Sequence, residues 1–381
     1  MKIVLAPNAL KGSLSAAEAA DALAAGARTA LPDVELVRRP VTDGGDGLVQ
    51  VLAGALQAGP RSLPVTGPTG QSVEAAWLYN REHGLAVIES AAASGLALLD
   101  PARPAPMTAH TRGTGELILA ALDAGAQRIL LGIGGSAGTD GGMGMAQALG
   151  VVFRDARGHR LPAGGGQLID VAEIDASGLD ARLGSVQVQV LCDVDNPLLG
   201  PQGTAAVFAA QKGASATQVQ QLENGLTHFA DVLETTFGKA LRNQPGAGAA
   251  GGLGAGALAF LGAERLPGAE TVLDLLDFDT ALENADLVIT AEGQLDAQTA
   301  FGKAPAAVAR RARAAGIPCM VIAGRLGKGA DRLADTGITA IYALCDGAES
   351  QQDTMRNAAR HLRDTAARAL REFRADRITG A

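Results

Sequence analysis

Three stretches of this chain combine charge, glycine and position in a way that suits binding an anion and working on it. Asn8-Ala-Leu-Lys11-Gly-Ser13 links an apolar run to a helix start marked by Ser15 and Glu18. It offers an ammonium, a hydroxyl and the N–H groups of a helix N-terminus, which together attract phosphate or carboxylate. The segment from Ala285 to Lys303 runs from Leu287-Val-Ile289 into a loop carrying Glu292 and Asp296, then closes on Lys303 and Pro305 at a helix's first turn. Loops at the carboxyl ends of strands face the ligand crevice in open α/β sheets, so two carboxylates and a lysine there read as chemistry. Asp43 precedes Gly44 and Gly45, whose lack of side chains lets a ligand approach the backbone; Asp46 reads either as a further site acid or as a helix N-cap.

Two more stretches fit an anionic ligand. Gly132-Ile-Gly134-Gly135-Ser136-Ala-Gly-Thr139-Asp140-Gly-Gly-Met-Gly144 lies between a predicted strand, 128–131, and a helix through Leu149. So many glycines at that junction serve close backbone approach, with Ser136, Thr139 and Asp140 as polar contacts. The strand 186–191 discharges into Cys192-Asp193-Val-Asp195-Asn196-Pro197, and in an extended chain Asp193 and Asp195 share one face. Pro245 to Gly256 contains a literal GxGxxG, but no predicted strand leads into it, which the dinucleotide fingerprint requires. It reads as tight helix packing on glycine and alanine, or as a phosphate cradle.

These loops need a scaffold. Predicted strands at 2–7, 34–39, 286–290, 318–323 and 338–344 are each followed by a helix or a helix-length segment. Five such units with right-handed crossovers make a flavodoxin-like α/β fold, a parallel sheet in the order 2-1-3-4-5. The order puts Asn8–Ser13 and Glu292–Asp296 on either side of the switch point, with Asp43, Arg325 and Asp346 at neighbouring strand ends. Between the second and third units the style changes to short, turn-separated strands at 62–66, 73–79 and 85–89, which look antiparallel. The expected domains are 1–60 with 276–381, and a large inserted mixed α/β domain, 61–275, that carries the glycine-rich loops. The active site is expected in the cleft between them.

Composition bounds the function. A chain of 381 residues, 47% hydrophobic, is long for one core. Net charge is −8 with no basic run, and aromatics are 3%, which argues against a nucleic-acid surface or a base-stacking platform. Cys192, Cys319 and Cys345 have neither zinc nor disulfide spacing, and the five histidines form no ligand pair. The opening MKIVLAPNAL reads as strand and loop, with no signal peptide and no spanning segment, so a cytoplasmic location and no membrane partner are expected.

Taken together, Ala6-Pro-Asn-Ala-Leu-Lys-Gly-Ser-Leu-Ser15, Asp43-Gly-Gly-Asp-Gly47, Gly132-Ile-Gly-Gly-Ser-Ala137 with Asp140-Gly-Gly, Cys192-Asp-Val-Asp-Asn-Pro-Leu198, Gly248-Ala-Ala-Gly-Gly-Leu-Gly254 and Glu292-Gly-Gln-Leu-Asp296 with Gln298-Thr and Gly302-Lys303 resemble the bacterial glycerate kinase family. The resemblance runs from Met1 to about Arg374. It implies ATP and Mg²⁺, D-glycerate as acceptor, and 2-phosphoglycerate rather than 3-phosphoglycerate as product; a monomer or homodimer is expected. The chain has Asn8 where the family often has aspartate; an amide cannot act as a base, so Asn8 is assigned to binding.

Phosphoryl transfer needs positioning and charge neutralisation, and the chain carries neither GxxxxGK[ST] nor the protein-kinase motifs. On this reading Lys11 with Ser13 holds the reacting phosphate or the glycerate carboxylate. Asp296 with Glu292 or Asp43 takes the metal, and Asp193 accepts the hydroxyl proton. Gly134, Gly135, Ser136, Asp140 and Lys303 bind the nucleotide; Asn8, Ser13, Asp195, Asn196 and Arg325 bind substrate. Two other classes stand beside it: an NAD(P)-dependent hydroxyacid dehydrogenase, and a non-catalytic two-domain sensor of small acids.

Overall fold

The structure, a computed structural model, describes residues 1–295, 303–330, 333, 336–344 and 351–379. The chain divides into two compact units, Met1–Asp43 with Ala269–Ala381, and Gly44–Gly268.

In the first unit, five parallel strands lie in the order Ile338–Ala343, Cys319–Leu326, Leu287–Leu295, Lys2–Leu5, Glu35–Arg38. The central strands are buried on both faces, as a parallel sheet requires, which is why they read as unbroken apolar runs. Ile3 and Leu5 meet Leu23 and Ala27 of the helix Ala16–Ala30 and Leu362, Ala366 and Leu370 of the helix Ala358–Thr379. A Cβ on Gly26 would lie 2.3 Å from the Arg363 carbonyl oxygen, so those two helices cross almost backbone to backbone. The helix Ala304–Ala314 packs on the strands Leu287–Leu295 and Cys319–Leu326 through buried alanines and Val308.

In the second unit, six strands lie in the order Glu264–Leu266, Gln187–Leu191, Arg128–Gly132, Leu85–Glu89, Ser72–Asn80, Pro60–Thr66. The first four run parallel and the last two join antiparallel, so the sheet is mixed. One core, with Trp77, Ile88, Leu117, Ile129 and Leu253, backs this sheet. A second core gathers Phe153, Phe229 and Phe260 under the helix Ala216–Phe237, which Ser215 and Gln218 cap reciprocally.

The boundaries fall elsewhere than at residues 60 and 276. The helix Leu48–Ala55 packs on the strands Ser72–Asn80 and Leu85–Glu89, so residues 44–60 belong with the second sheet. Glu270 and Asp274 are paired with Arg311 of the helix Ala304–Ala314, which ties 269–275 to the first.

Candidate functional site

In the larger unit the strand Arg128–Gly132 opens into the predicted glycine loop. Gly134 is half-buried, Gly135 is exposed with φ +74°, and Ser136 is 7% exposed. Among the described residues the backbone N–H groups of Gly134, Gly135 and Ser136 make no hydrogen bond, whereas Ala137 N–H donates to Ser94 O. Three successive amides at the carboxyl end of a strand are the makings of an anion cradle. A Cβ at Gly134 would sit 2.7 Å from Gly45 Cα, and one at Gly132 would sit 2.3 Å from Gly44 O, so the segment Gly44–Gly45 lies directly against this loop.

Asp140 departs from the expectation of a ligand contact. It is fully buried, and its oxygens accept from the N–H groups of Thr111, Gly142 and Gly144 and from the Thr111 hydroxyl. Its work is to hold the loop's second half. Thr139 is likewise 1% exposed. Behind Ser136 stands a residue that the sequence did not flag, Lys212, whose Nζ donates to Ser136 Oγ at 2.8 Å and to Gly138 O. A single lysine in an alanine-rich stretch gives no motif to find it by.

Glu89 was also missed, though its place as the one charged residue closing an apolar strand was a signal. Paired across the sheet with Gly132, it accepts the Gly47 N–H at 3.1 Å. Burial pushes its carboxyl up to about 7, against the pull of the Gly47 amide, and the neighbouring Asp46 adds to the rise. Gly47, left-handed, is the N-cap of Leu48–Ala55 and carries no side-chain cap, so Asp46 is not the cap that its position suggested. Its carboxylate lies instead beside Gly135, where an added Cβ would meet Oδ1 at 2.5 Å.

The acids after strand Gln187–Leu191 both turn to the segment 265–268. Asp193 Oδ1 accepts the Gly268 N–H at 2.7 Å, and Asp195 pairs with Arg265 at 2.6 Å. Asn196 Nδ2 donates to Gln202 O. Asp193 is half-buried and Asp195 exposed. The second glycine segment packs against the first loop. No strand leads into it, Gly251 has φ +73°, and a Cβ there would lie 2.0 Å from Gly138 O. It is therefore a packing element and not a dinucleotide fingerprint.

In the smaller unit Glu292 lies not in a loop, as the sequence suggested, but inside the strand Leu287–Leu295, whose ladder with Cys319–Leu326 continues to Leu295, and Asn8–Ser13 lies beside Glu292–Gln294. Asn8 N–H donates to Ala291 O at 2.8 Å, and a Cβ on Gly293 would meet Lys11 N at 3.3 Å. Asn8 is 5% exposed and its Oδ1 accepts the Ala9 N–H, so it shapes the turn; Lys11 is exposed at the turn's apex and Ser13 half-buried. The helix N-terminus behind them is occupied by the reciprocal Ser15–Glu18 cap. Glu292 is 8% exposed, Asp43 half-buried, and Lys303 half-buried at the N-cap of Ala304–Ala314. Arg325 is exposed and clamps Gln294 Oε1 through Nε at 2.8 Å and through Nη2. Asp296 and Asp346 lie outside the described residues.

A family model described as the glycerate kinase family matches residues 3–374. The chain belongs to this family. It is 46% identical to the glycerate kinase of Bacillus subtilis (strain 168), over 96% of each chain, and 44% identical to the glycerate 2-kinase of Escherichia coli (strain K12), over 94% of each. A solved structure from Salmonella typhimurium LT2, itself a candidate glycerate kinase 2, is 42% identical and superposes with TM-score 0.80 over 99% of each chain. Membership makes the chain a kinase, an enzyme of phosphoryl transfer.

For a glycerate kinase family member the described acids suit a hard divalent cation in kind. Mg²⁺ is usually held by one or two carboxylates, with water and phosphate oxygens completing its shell, and Asp43, in the loop after Glu35–Arg38, and Glu292, within the strand Leu287–Leu295, are that type of donor. Among the described residues no group of three or more His, Cys, Asp or Glu gathers as a self-sufficient metal cage. No helix of the described residues is long and apolar enough to cross a membrane.

Proposed function

We propose that this protein transfers the terminal phosphoryl group of ATP to D-glycerate, giving 2-phosphoglycerate and ADP. The observation that carries the reading is the run of three unbonded amides at Gly134–Ser136, backed by the ammonium of Lys212. Such a loop binds phosphate oxygens without needing a side-chain contact from the buried Asp140. The choice of product is supported by the name of the Escherichia coli relative, a glycerate 2-kinase.

Roles follow from chemistry and exposure. Lys11, an exposed ammonium on a tight turn, neutralises the moving phosphoryl group or the glycerate carboxylate, with Ser13, Asn8 and Arg325 assisting. Asp193, whose orientation the Gly268 amide fixes, accepts the proton of the attacking hydroxyl. Asp195 and Asn196 shape the loop around it, and Lys303 adds a second cation for the nucleotide. Asp296, with Glu292 or Asp43, would hold Mg²⁺, which when bound offsets charge on the nucleotide phosphates. Cytoplasmic residence belongs to the same proposal: a kinase using ATP, with Cys192 and Cys319 as free thiols, suits a reducing compartment.

The test is ADP formation from Mg-ATP with D-glycerate, glycolate, lactate and hydroxypyruvate, followed by enolase added without a mutase. ADP release with glycerate and immediate enolase turnover are expected. Absence of ADP release with all four acids sinks the proposal, and enolase turnover only after a mutase is added reassigns the product to 3-phosphoglycerate.

A further inference from the structure

Lys212 is 4% exposed, and burial pushes its amine down to about 7 although Asp140 pulls the other way. Enclosing an ammonium is costly unless its protons are well used, and an apolar side chain would fill the same space at less cost. The chain makes an unusual turn to deliver it. Ala205–Ala209 is a single π-helical turn, a rare form frequent at functional sites, and it runs into the 3-10 turn Ala210–Lys212, closed by left-handed Gly213. At Gly213 a Cβ would meet Pro104 Cβ at 2.2 Å, so the turn is seated with no room for a side chain.

The direction of the hydrogen bonds carries the argument. In its protonated form Lys212 Nζ only donates, so in that state the Ser136 hydroxyl is the acceptor and keeps its own hydrogen for another partner. Among the described residues Ser136 Oγ has no acceptor for that hydrogen. The neighbouring amides of Gly134, Gly135 and Ser136 are in the same condition, and Gly135 is exposed. Four donors in three consecutive residues thus await one acceptor, and the fourth is polarised by the charge behind it.

We propose that Lys212 is a positioning residue for nucleotide binding: it aims the Ser136 hydroxyl outward and, through it and the Gly138 carbonyl, holds the glycine loop in the shape that receives the phosphates of a nucleoside triphosphate. This rests on the reading of Gly134–Ser136 as the phosphate cradle. Lys212 does not touch the ligand; it conveys its charge through a hydroxyl. Replacing it by an uncharged side chain of similar length leaves the cradle's amides in place but removes both the orientation of the hydroxyl and its polarisation.

Calorimetric titration of the full chain with a non-hydrolysable ATP analogue and with adenosine tests this. The set is wild type, Lys212→Met, Ser136→Ala, the double variant, and Lys212→Ala with and without added ethylammonium. Each single substitution is expected to weaken analogue binding by about tenfold or more, the double no further than Lys212→Met, with adenosine affinity unchanged and Lys212→Ala partly rescued by the amine. Analogue affinities within twofold of wild type in both single variants, or fully additive losses, overturn the inference while leaving the cradle reading in place. Failure of wild type to bind the analogue removes the cradle reading, and this inference with it. Should circular dichroism find Lys212→Met unfolded, the decision passes to Ser136→Ala against Ser136→Thr: loss in the first and recovery in the second supports the relay, and no loss in the first ends it.

Discussion

Thr111 binds Asp140 twice, through its N–H at 2.8 Å and its hydroxyl at 2.9 Å, and the same hydroxyl accepts the Met145 N–H at 2.9 Å. One side chain therefore fastens the buried carboxylate to the start of the helix Arg112–Asp123 and to the helix Met143–Ala148. Thr111→Val keeps the shape but leaves both partners short of a bond. A loss of about 1–3 kcal/mol is expected, read as a lower urea midpoint at unchanged slope. A midpoint equal to wild type would mean that the backbone amides of residues 111, 142 and 144 suffice to hold Asp140.

Glu89 predicts a pH dependence. Burial holds its folded carboxyl up at about 7, above the ordinary value of 4.5, so the folded state retains a proton that the unfolded chain gives up. The contribution is full below about 4.5 and is lost as pH rises through about 7. Glu89→Gln keeps an acceptor for the Gly47 N–H but carries no charge. At pH 8 it is expected to be more stable than wild type by roughly 2 kcal/mol, with little difference at pH 4.5. Equal melting curves at pH 8 would show that the carboxylate is well solvated there.

Lys11→Ala tests the smaller unit's cation. Its side chain is exposed, so folding is expected to be unaffected while turnover falls by about a hundredfold or more. Asp296→Asn is expected to do the same. Near-normal turnover in both purified variants removes this assignment.

Asp193→Asn separates structure from proton transfer. An amide oxygen can still accept from Gly268 N–H, so the melting temperature should hold, whereas loss of a base should lower kcat by roughly a hundredfold or more. A lowered melting temperature with normal kcat would make Asp193 a cap and nothing more.

Gly251→Ala combines a left-handed φ of +73° with a Cβ 2.0 Å from Gly138 O. Destabilisation of about 3 kcal/mol or more is expected, measured by thermal unfolding. A neutral result would mean that the two glycine segments separate easily.

Legibility tracked periodicity. The three central strands of the smaller unit, Lys2–Leu5, Leu287–Leu295 and Cys319–Leu326, stand where apolar runs stood, because burial on both faces leaves little alternation to misread. The turn-separated strands at 60–80 were equally visible through Gly67 and Gly70. Backbone chemistry was visible too: glycines between strand and helix marked the loop whose amides at Gly134–Ser136 have no hydrogen-bond partner among the described residues. What sequence spacing hides is direction. Asp140 and Ser136 lie four positions apart in one loop, yet one is consumed by internal donors and the other keeps a hydrogen to give. Lys212 and Glu89 reach the loop through tertiary approach from distant segments, which no local pattern encodes. The domain boundary slid for the same reason, since the helix Leu48–Ala55 follows one sheet in sequence and packs on the other.

The smaller unit is assembled from both ends of the polypeptide, and Lys2 hydrogen-bonds to a partner 284 positions downstream. On the ribosome, then, the opening 43 residues wait without neighbours while Gly44–Gly268 already possesses every strand of its own sheet. The segment bearing Lys11 is made before the stretch 269–381 that completes its unit and is among the last to take shape, so loss of that later stretch would silence it.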